Sequence, residues 1–496
     1  MPGELPLRRL SVGGIVWSSS RGVLQGGAQL LTLIVLARLL SPHDFGVAGA
    51  AVTVLLLGQV VCDMGIGASV IKQRDMTGGI AAAAATFCTL SGLMWTAALC
   101  LLASEIAQFL RIPDLVDVIP LYAASLSLYA SAVVPRALIE RDFRFRTLAK
   151  IEFSAYILGY STTGVLLGVL GYGYYSIAVG HLLQNVLHAI CMIWASRSQM
   201  AGGGRLVLTA EMLSFGAGNT LTKLANYGAN QMDNILVGRV LGPTALGEYG
   251  RAYQLTVMPA NIVGTAIDRV LFPAFARAHD RQASLREPYL QAVGLTALVA
   301  FPLGLFFALM SADIVVLLLG PQWDRLTIVL SIVSLGVPLR MGSKVCDSIA
   351  RGTGKAYARF WRQLVFGVAV SIGAWTGLRW GLAGVAFCVL FALFMNYLFS
   401  LHLCNSVTRC GWRDATCAHR QGFVLALFLG ALLLPASAAF ESSFVGSVLS
   451  LLAGAATVGT SLALAVVYRW KWLLGRDGLW FADAILRTSG RPGRTR

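Results

Sequence analysis

ARLLSPHDFG (37–46) and GRVLGPTALG (238–247) are one phrase written twice: Arg38, Leu40, Pro42 and Gly46 fall on Arg239, Leu241, Pro243 and Gly247 at a constant offset. Within the phrase each residue type has a plain local role. Proline restricts its predecessor and stops a helix, and glycine frees the following turn. Arg38 and Arg239 sit where a helix ends. There they can hold its last carbonyls or meet a phosphate.

The phrase is embedded in a very apolar chain. Of 496 residues, 56% are hydrophobic and only 12% charged, with a mean hydropathy of +0.70. Soluble domains carry about 25% charged residues. Apolar runs long enough to cross a bilayer as helices recur throughout, and their continuity excludes the alternating pattern of a barrel. About fourteen spans are expected. They begin near Val12, Ala48, Gly79, Leu115, Leu148, Tyr174, Met212, Leu246, Tyr289, Thr327, Phe360, Leu382, Gly422 and Phe444. The first is too long for a cleavable signal and contains Arg21. An all-α polytopic membrane protein follows.

The net charge of +16 could suggest a nucleic-acid partner, but its placement argues otherwise. With both termini cytoplasmic, about twenty-nine Lys and Arg lie inside and about five outside, the positive-inside pattern. RDFRFRTLAK (141–150) and RGTGKAYARFWR (351–362) are inside, as is the basic tail from Arg469, whose Trp470, Trp472 and Trp480 suit the headgroup layer. Nine cysteines are scattered without a CxxC, and His402, Cys404, Cys410 and Cys417 lack zinc spacing, so no metal is expected. No Walker motif or other nucleotide loop is present, and no cofactor is implied.

The phrase closes span 1 and span 7. Six spans separate the copies, so both enter the membrane in the same direction, as parallel repeats about an axis along the membrane normal. The basic loop Arg136–Lys150 matches Arg351–Arg362, and LGYG (170–173) matches the turn from Trp380 to Gly384. The expected organisation is a six-helix lobe over 1–205, a second over 206–420, two appended helices over 421–468 and a cytoplasmic tail over 469–496.

Both lobes carry a polar stripe at helical spacing. Span 1 has Ser18, Arg21, Gln25, Gln29 and Thr32; span 7 has Asn219, Lys223, Asn226, Asn230 and Asp233. At the phrase's own offset Gln25 maps to Asn226 and Gln29 to Asn230. Span 10 adds Arg340, Lys344 and Asp347, with Asp347 placed to neutralise Lys344. At 1.5 Å per residue, Arg21, Lys223 and Lys344 lie roughly 15 Å from the cytoplasmic side, with Arg340 about a turn deeper. Intramembrane charge is costly, so these cations are expected to line a cavity between the lobes that takes an anion. The competing expectation is mutual neutralisation by Asp233 and Asp347. Glu248 and Arg251 are an i, i+3 pair placed to satisfy each other. Asp63 and Asp268 are further isolated acids, and Asp63 reads as a coupling site or a buried hydrogen-bonded acid.

SPHDFGVAGAAVTVLLLGQVVCDMGIGASVIKQRD (41–75) resembles the opening signature of the Wzx-type bacterial polysaccharide-transport flippases. That superfamily also holds the MATE drug exporters and the peptidoglycan-precursor flippase. QMDNILVGRVLGPTALGEYGRAYQLTVMPANIV (231–263) resembles its second-half counterpart, and FPAFAR (272–277) and ERDFRFR (140–146) extend the likeness. It covers roughly residues 10–420. The resemblance implies alternating access of two lobes. It also implies translocation of undecaprenyl-pyrophosphate-linked oligosaccharide from the cytoplasmic to the periplasmic leaflet of a bacterial inner membrane. Polysaccharide polymerase and co-polymerase would then be neighbours, alongside membrane lipids. Arg21, Lys223, Arg340 and Lys344 fit a pyrophosphate role by position in the stripes. Gln25, Gln29, Asn226 and Asn230 fit sugar hydroxyls. Asp63 and Asp233 are candidates for coupling to a proton or sodium gradient.

Two other functions compete. A MATE-type exporter of lipophilic cations calls for a surplus of cavity acids, whereas the surplus here is basic. A membrane polymerase or acyltransferase needs convergent catalytic groups, and the short outside connections offer none.

Overall fold

The computed structural model describes residues 25–73, 76–201, 210–280, 285–353, 356–439, 448, 451–456 and 458–460. These residues form an all-helical bundle: α1 (Gln25–Leu39), α2 (Pro42–Asp63), α3 (Ile66–Lys72), α4 (Gly78–Leu101), α5 (Ala103–Leu110), α6 (Leu115–Arg141), α7 (Phe145–Ala155), α8 (Thr162–Val169) and α9 (Tyr174–Met200) in the first half. The second half holds α10 (Ala210–Asp280), α11 (Arg286–Leu309), α12 (Ser311–Ile314), α13 (Leu326–Ser334), α14 (Val337–Gly352), α15 (Ala356–Gly377), α16 (Gly381–Thr408) and α17 (Trp412–Ala439).

Seven helices are long and apolar enough to cross a membrane among the described residues, or eight if α13 and α14, bent by 41°, form one span. In that count α15 and α16 enter as one stretch of 51 residues, so it does not give the number of crossings. The expected fifth span is built from α7 and α8 around a π-helical turn at Tyr156–Ser161. The expected thirteenth span begins about ten residues early, because Asp414 anchors the first turn of α17. Its carboxylate accepts the Gly411 N–H at 3.2 Å and pairs with Arg286 at 2.8 Å. Of the fourteenth span only 448, 451–456 and 458–460 are described.

Each copy of the doubled phrase makes a bend, by different chemistry. At the start of α2, Ser41 Oγ accepts the Asp44 N–H at 3.2 Å while Asp44 accepts the Ser41 N–H at 2.9 Å, and Pro42 fills the first turn. This capping box satisfies donors that a helix start leaves open. The equivalent of Ser41 is Gly242. It bends α10 through φ 88°, ψ 176°, a region glycine enters without steric cost. Two arms result, 210–241 and 243–280. The main core runs across both halves, from Leu36, Phe45 and Leu55 through Ile112, Leu115 and Ile119 to Tyr249 and Trp323.

Candidate functional site

The seam between the halves is formed chiefly by α2 against α10, and it is shut at both ends. At the end expected from the charge pattern to face outward, the outer end, the two copies of the phrase meet each other. A Cβ on Gly46 would overlap the Pro243 carbonyl, and a Cβ on Gly247 would overlap the Pro42 carbonyl and lie 2.9 Å from Gly46 N. Only hydrogen fits on either side, so backbone packs on backbone as in small-residue helix crossings.

The phrase arginines reach across this seam. Arg38 donates to the Leu317 carbonyl in the second half, and Arg239 Nη1 donates to the Phe109 carbonyl in the first half at 2.7 Å. Each carbonyl belongs to a helical end that precedes an outer turn. Arg239 also lies over the Phe109 ring, 4.2 Å from its centroid, a cation–π contact. The arginines do hold terminal carbonyls, but those of the opposite half. The Ala37 carbonyl, in the last turn of α1, accepts Trp323 Nε1 at 3.0 Å and Gln322 Nε2 at 2.8 Å. Trp323 is fully buried and packs edge-on to Phe45 at 5.4 Å. Sequence reasoning missed this pair, because GPQW (320–323) has no copy in the first half.

At the opposite end, expected to face inward, Met64 and Gly65 both take left-handed backbone, at φ 43° and 69°, and turn α2 into α3. Gly65 there abuts Gly216 so closely that a Cβ would lie 2.6 Å from its Cα. Ser69 Oγ donates to the Met212 carbonyl at 3.0 Å. Asp63 on α2 pairs with Lys223 on α10 and accepts the Gly67 N–H at 3.2 Å. Between the two ends, Tyr227 Oη bridges to the Thr53 carbonyl at 3.1 Å.

The sequence-assigned residues distribute along this seam and behind it. Arg21 and Ser18 lie outside the described residues, as does the side chain of Asp268. Gln25 and Gln29 are half-buried on α1, and their side chains make no hydrogen bond among the described residues. Thr32 is occupied by Ser161 Oγ at 2.9 Å. Asn230 is exposed and donates to the Asn226 carbonyl at 2.7 Å, leaving the Asn226 amide half-buried. Asp233 is buried and accepts Tyr249 Oη at 2.8 Å and the Asn234 N–H at 2.9 Å. Lys344 Nζ donates to Asn261 at 2.6 Å. Arg340 lies over Tyr253, 4.2 Å from the ring centroid, and its Nε and Nη2 are buried without a hydrogen-bond partner. Five N–H donors on a fixed charge make such a group a ready receptor for an oxyanion.

Two expected pairings are corrected. Asp347 does not neutralise Lys344. It pairs with Arg362 and, at 3.5 Å, with Arg359, both on α15, because the packed neighbour helix brings guanidinium groups nearer than a residue on the same helix. Glu248 and Arg251 do not pair either among the described residues. Arg251 bonds Gln254 and lies 4.7 Å over Phe45 across the seam. The acid of the inner end is Asp63, supplied from the other half.

The comparisons follow this architecture. Residues 35–328 match the family described as "Polysaccharide biosynthesis protein". The lipopolysaccharide biosynthesis protein WzxC of Escherichia coli (strain K12) is 26% identical over 80% of this chain and 81% of its own. The teichuronic acid biosynthesis protein TuaB of Bacillus subtilis (strain 168) is 24% identical over 74% and 77%, and the succinoglycan biosynthesis transport protein ExoT of Rhizobium meliloti (strain 1021) is 25% identical over 70% of each. The fold is that of a lipid II flippase MurJ in an inward closed conformation (TM-score 0.76, 12% identity, 92% of this chain and 100% of that one). It also matches an inward-facing multidrug MATE transporter (TM-score 0.62, 15% identity, 78% and 96%). A family match across more than half of the chain, on a helical fold whose doubled phrase meets itself at the seam, places this protein in the polysaccharide biosynthesis protein family.

Proposed function

We propose that this protein moves undecaprenyl-pyrophosphate-linked oligosaccharide units from the cytoplasmic to the periplasmic leaflet of a bacterial inner membrane. The observation that carries this reading is the seam with a separate closure at each end, the minimum device for opening to one side at a time. The halves act as two six-helix lobes, 1–205 and 206–420. Residues 421–468 would add two helices, and 469–496, expected as a cytoplasmic tail, lie outside the described residues. Opening the inner end separates Lys223 from Asp63 and frees a cation for the incoming pyrophosphate. Arg340, with two donor nitrogens unused, and Lys344 and Arg21 complete the anion site. Gln25, Gln29, Asn226 and Asn230 meet sugar hydroxyls. Release of Asp63 also gives a carboxylate that a proton or sodium ion can follow, with Asp233 as the second such group. Polymerase and co-polymerase take over the product outside.

The testing experiment is the leaflet location of lipid-linked oligosaccharide in spheroplasts with and without the protein, after adding external glycosidase. Intact, protected oligosaccharide-lipid that accumulates only in the deletion supports translocation. Equal accessibility in both strains, with polymer missing, moves the step past translocation to an enzymatic one.

A further inference from the structure

The turn between α6 and α7 has a surface that neither seal uses. Phe143 adopts φ 55° and is 80% exposed. The left-handed region disfavours a bulky side chain, so an apolar ring is held outward against its own backbone preference. Phe145, also exposed, meets it edge-on at 5.9 Å. The acids nearby are already partnered: Glu140 and Glu152 pair with Arg136 at 3.0 and 3.4 Å, and the exposed Asp142 accepts the Gln199 amide. The bases face out. Arg144, Arg146 and Lys150 are exposed, and Lys150 has no ion pair among the described residues.

The depth of this turn follows from its neighbour α9. Arg144 Nη1 donates to the Ala195 carbonyl at 3.1 Å, which sets the turn level with Trp194. Trp194 is exposed, with Arg197 5.2 Å above its ring. An outward tryptophan beside arginine at the end of a membrane helix marks the headgroup layer. Topology alone asks only for the positive charges. It does not ask for two exposed phenylalanines, one of them conformationally disfavoured.

We propose that this turn is a docking surface for anionic phospholipid of the cytoplasmic leaflet. Phe143 and Phe145 enter the acyl boundary while Arg144, Arg146 and Lys150 meet lipid phosphates. The contact fixes the depth of the first half independently of what the seam carries. An acidic protein partner matches the charges but leaves the rings without a reason to face outward at this level.

The test is native mass spectrometry of the full-length protein loaded with phosphatidylglycerol or phosphatidylcholine, paired with thermal melting in each lipid. The variants are R146Q/K150Q and F143G, which spare the Arg144–Ala195 bond. The wild type retains phosphatidylglycerol in preference to phosphatidylcholine and melts higher in it. Removing the two bases weakens retention about tenfold or more. F143G weakens it too, while melting in phosphatidylcholine stays at or above wild type. Inorganic phosphate alone neither displaces the lipid nor raises the melting point. Unchanged phosphatidylglycerol retention in F143G and R146Q/K150Q overturns the proposal. Full stabilisation by inorganic phosphate overturns it as well, making the turn a phosphate site. Loss of a co-purifying protein with lipid retention intact makes it a protein surface instead. Should R146Q/K150Q fail to fold, F143G alone decides.

Discussion

Gly46 lies against the backbone carbonyl of Pro243, and its repeat equivalent Gly247 lies against that of Pro42. The ten-residue phrase is repeated because it is its own partner: each copy supplies the glycine that the other copy's proline carbonyl needs. Small residues let helices approach backbone to backbone. A side chain on either glycine is therefore expected to act on this contact and not on the helices that carry it.

Gly46→Val is expected to disfavour outer closure by about 1–3 kcal/mol, the usual cost of overpacking a tight contact. Spin labels at His43 and Thr244, in a background without native cysteines, report the distance across the seal. The distribution moves to longer distances in Gly46→Val and in Gly247→Val. A double variant no worse than either single one shows that both report one contact. Unchanged distances in both single variants would mean that the seal is not held by this packing.

The crossed arginines predict a reciprocal effect. Arg38→Gln and Arg239→Gln each lose a charge-assisted bond to a helix-terminal carbonyl in the other half, nominally about 1.5–3 kcal/mol and less here because both are exposed. Arg239→Gln also loses the Phe109 ring contact and is the more destabilising of the two. Lower thermal stability of the purified protein, without a change in substrate binding, is the expected reading.

At the inner end, Asp63→Asn and Lys223→Gln are each expected to loosen closure and lower polymer export. The charge reversal Asp63→Lys/Lys223→Asp is expected to restore closure, because the pair joins two halves and its polarity is arbitrary for that purpose. Export recovers less than closure if Lys223 also serves the substrate. Spin labels at the exposed Ile71 and Thr222 measure closure separately from export.

Arg340→Gln is expected to reduce export at least about tenfold, the effect of one lost charge-assisted contact of about 1.4 kcal/mol or more. Arg340→Lys keeps the charge but loses the planar stack on Tyr253, and gives an intermediate rate. Export at the normal rate in Arg340→Gln, with normal expression, removes Arg340 from the anion site.

Helix starts near Gly78, Leu115, Tyr174 and Gly381 were legible because continuous apolar runs and turn residues act locally. The likeness of the halves was legible through the phrase, since a constant offset survives in one dimension. The pairing of Asp347 was not. On its own helix Lys344 is a plausible partner, and only packing against α15 brings Arg359 and Arg362 to it. Glu248 and Arg251 failed for the same reason: Phe45, 206 residues away in the chain, competes for the guanidinium. Trp323 carried no periodic or repeated signal at all.

By itself, then, the sequence determined a polytopic helical membrane protein built of two like halves with polar stripes. Hydropathy, capping and proline act through a residue's own backbone and its nearest turns. Tertiary structure alone decided which residues shut the seam. That Arg38 reaches Leu317, that Trp323 reaches Ala37 and that Asp63 finds Lys223 depends on two helix sets docking at one register. A contact between residues 160 to 286 positions apart is fixed by that docking and leaves no local trace.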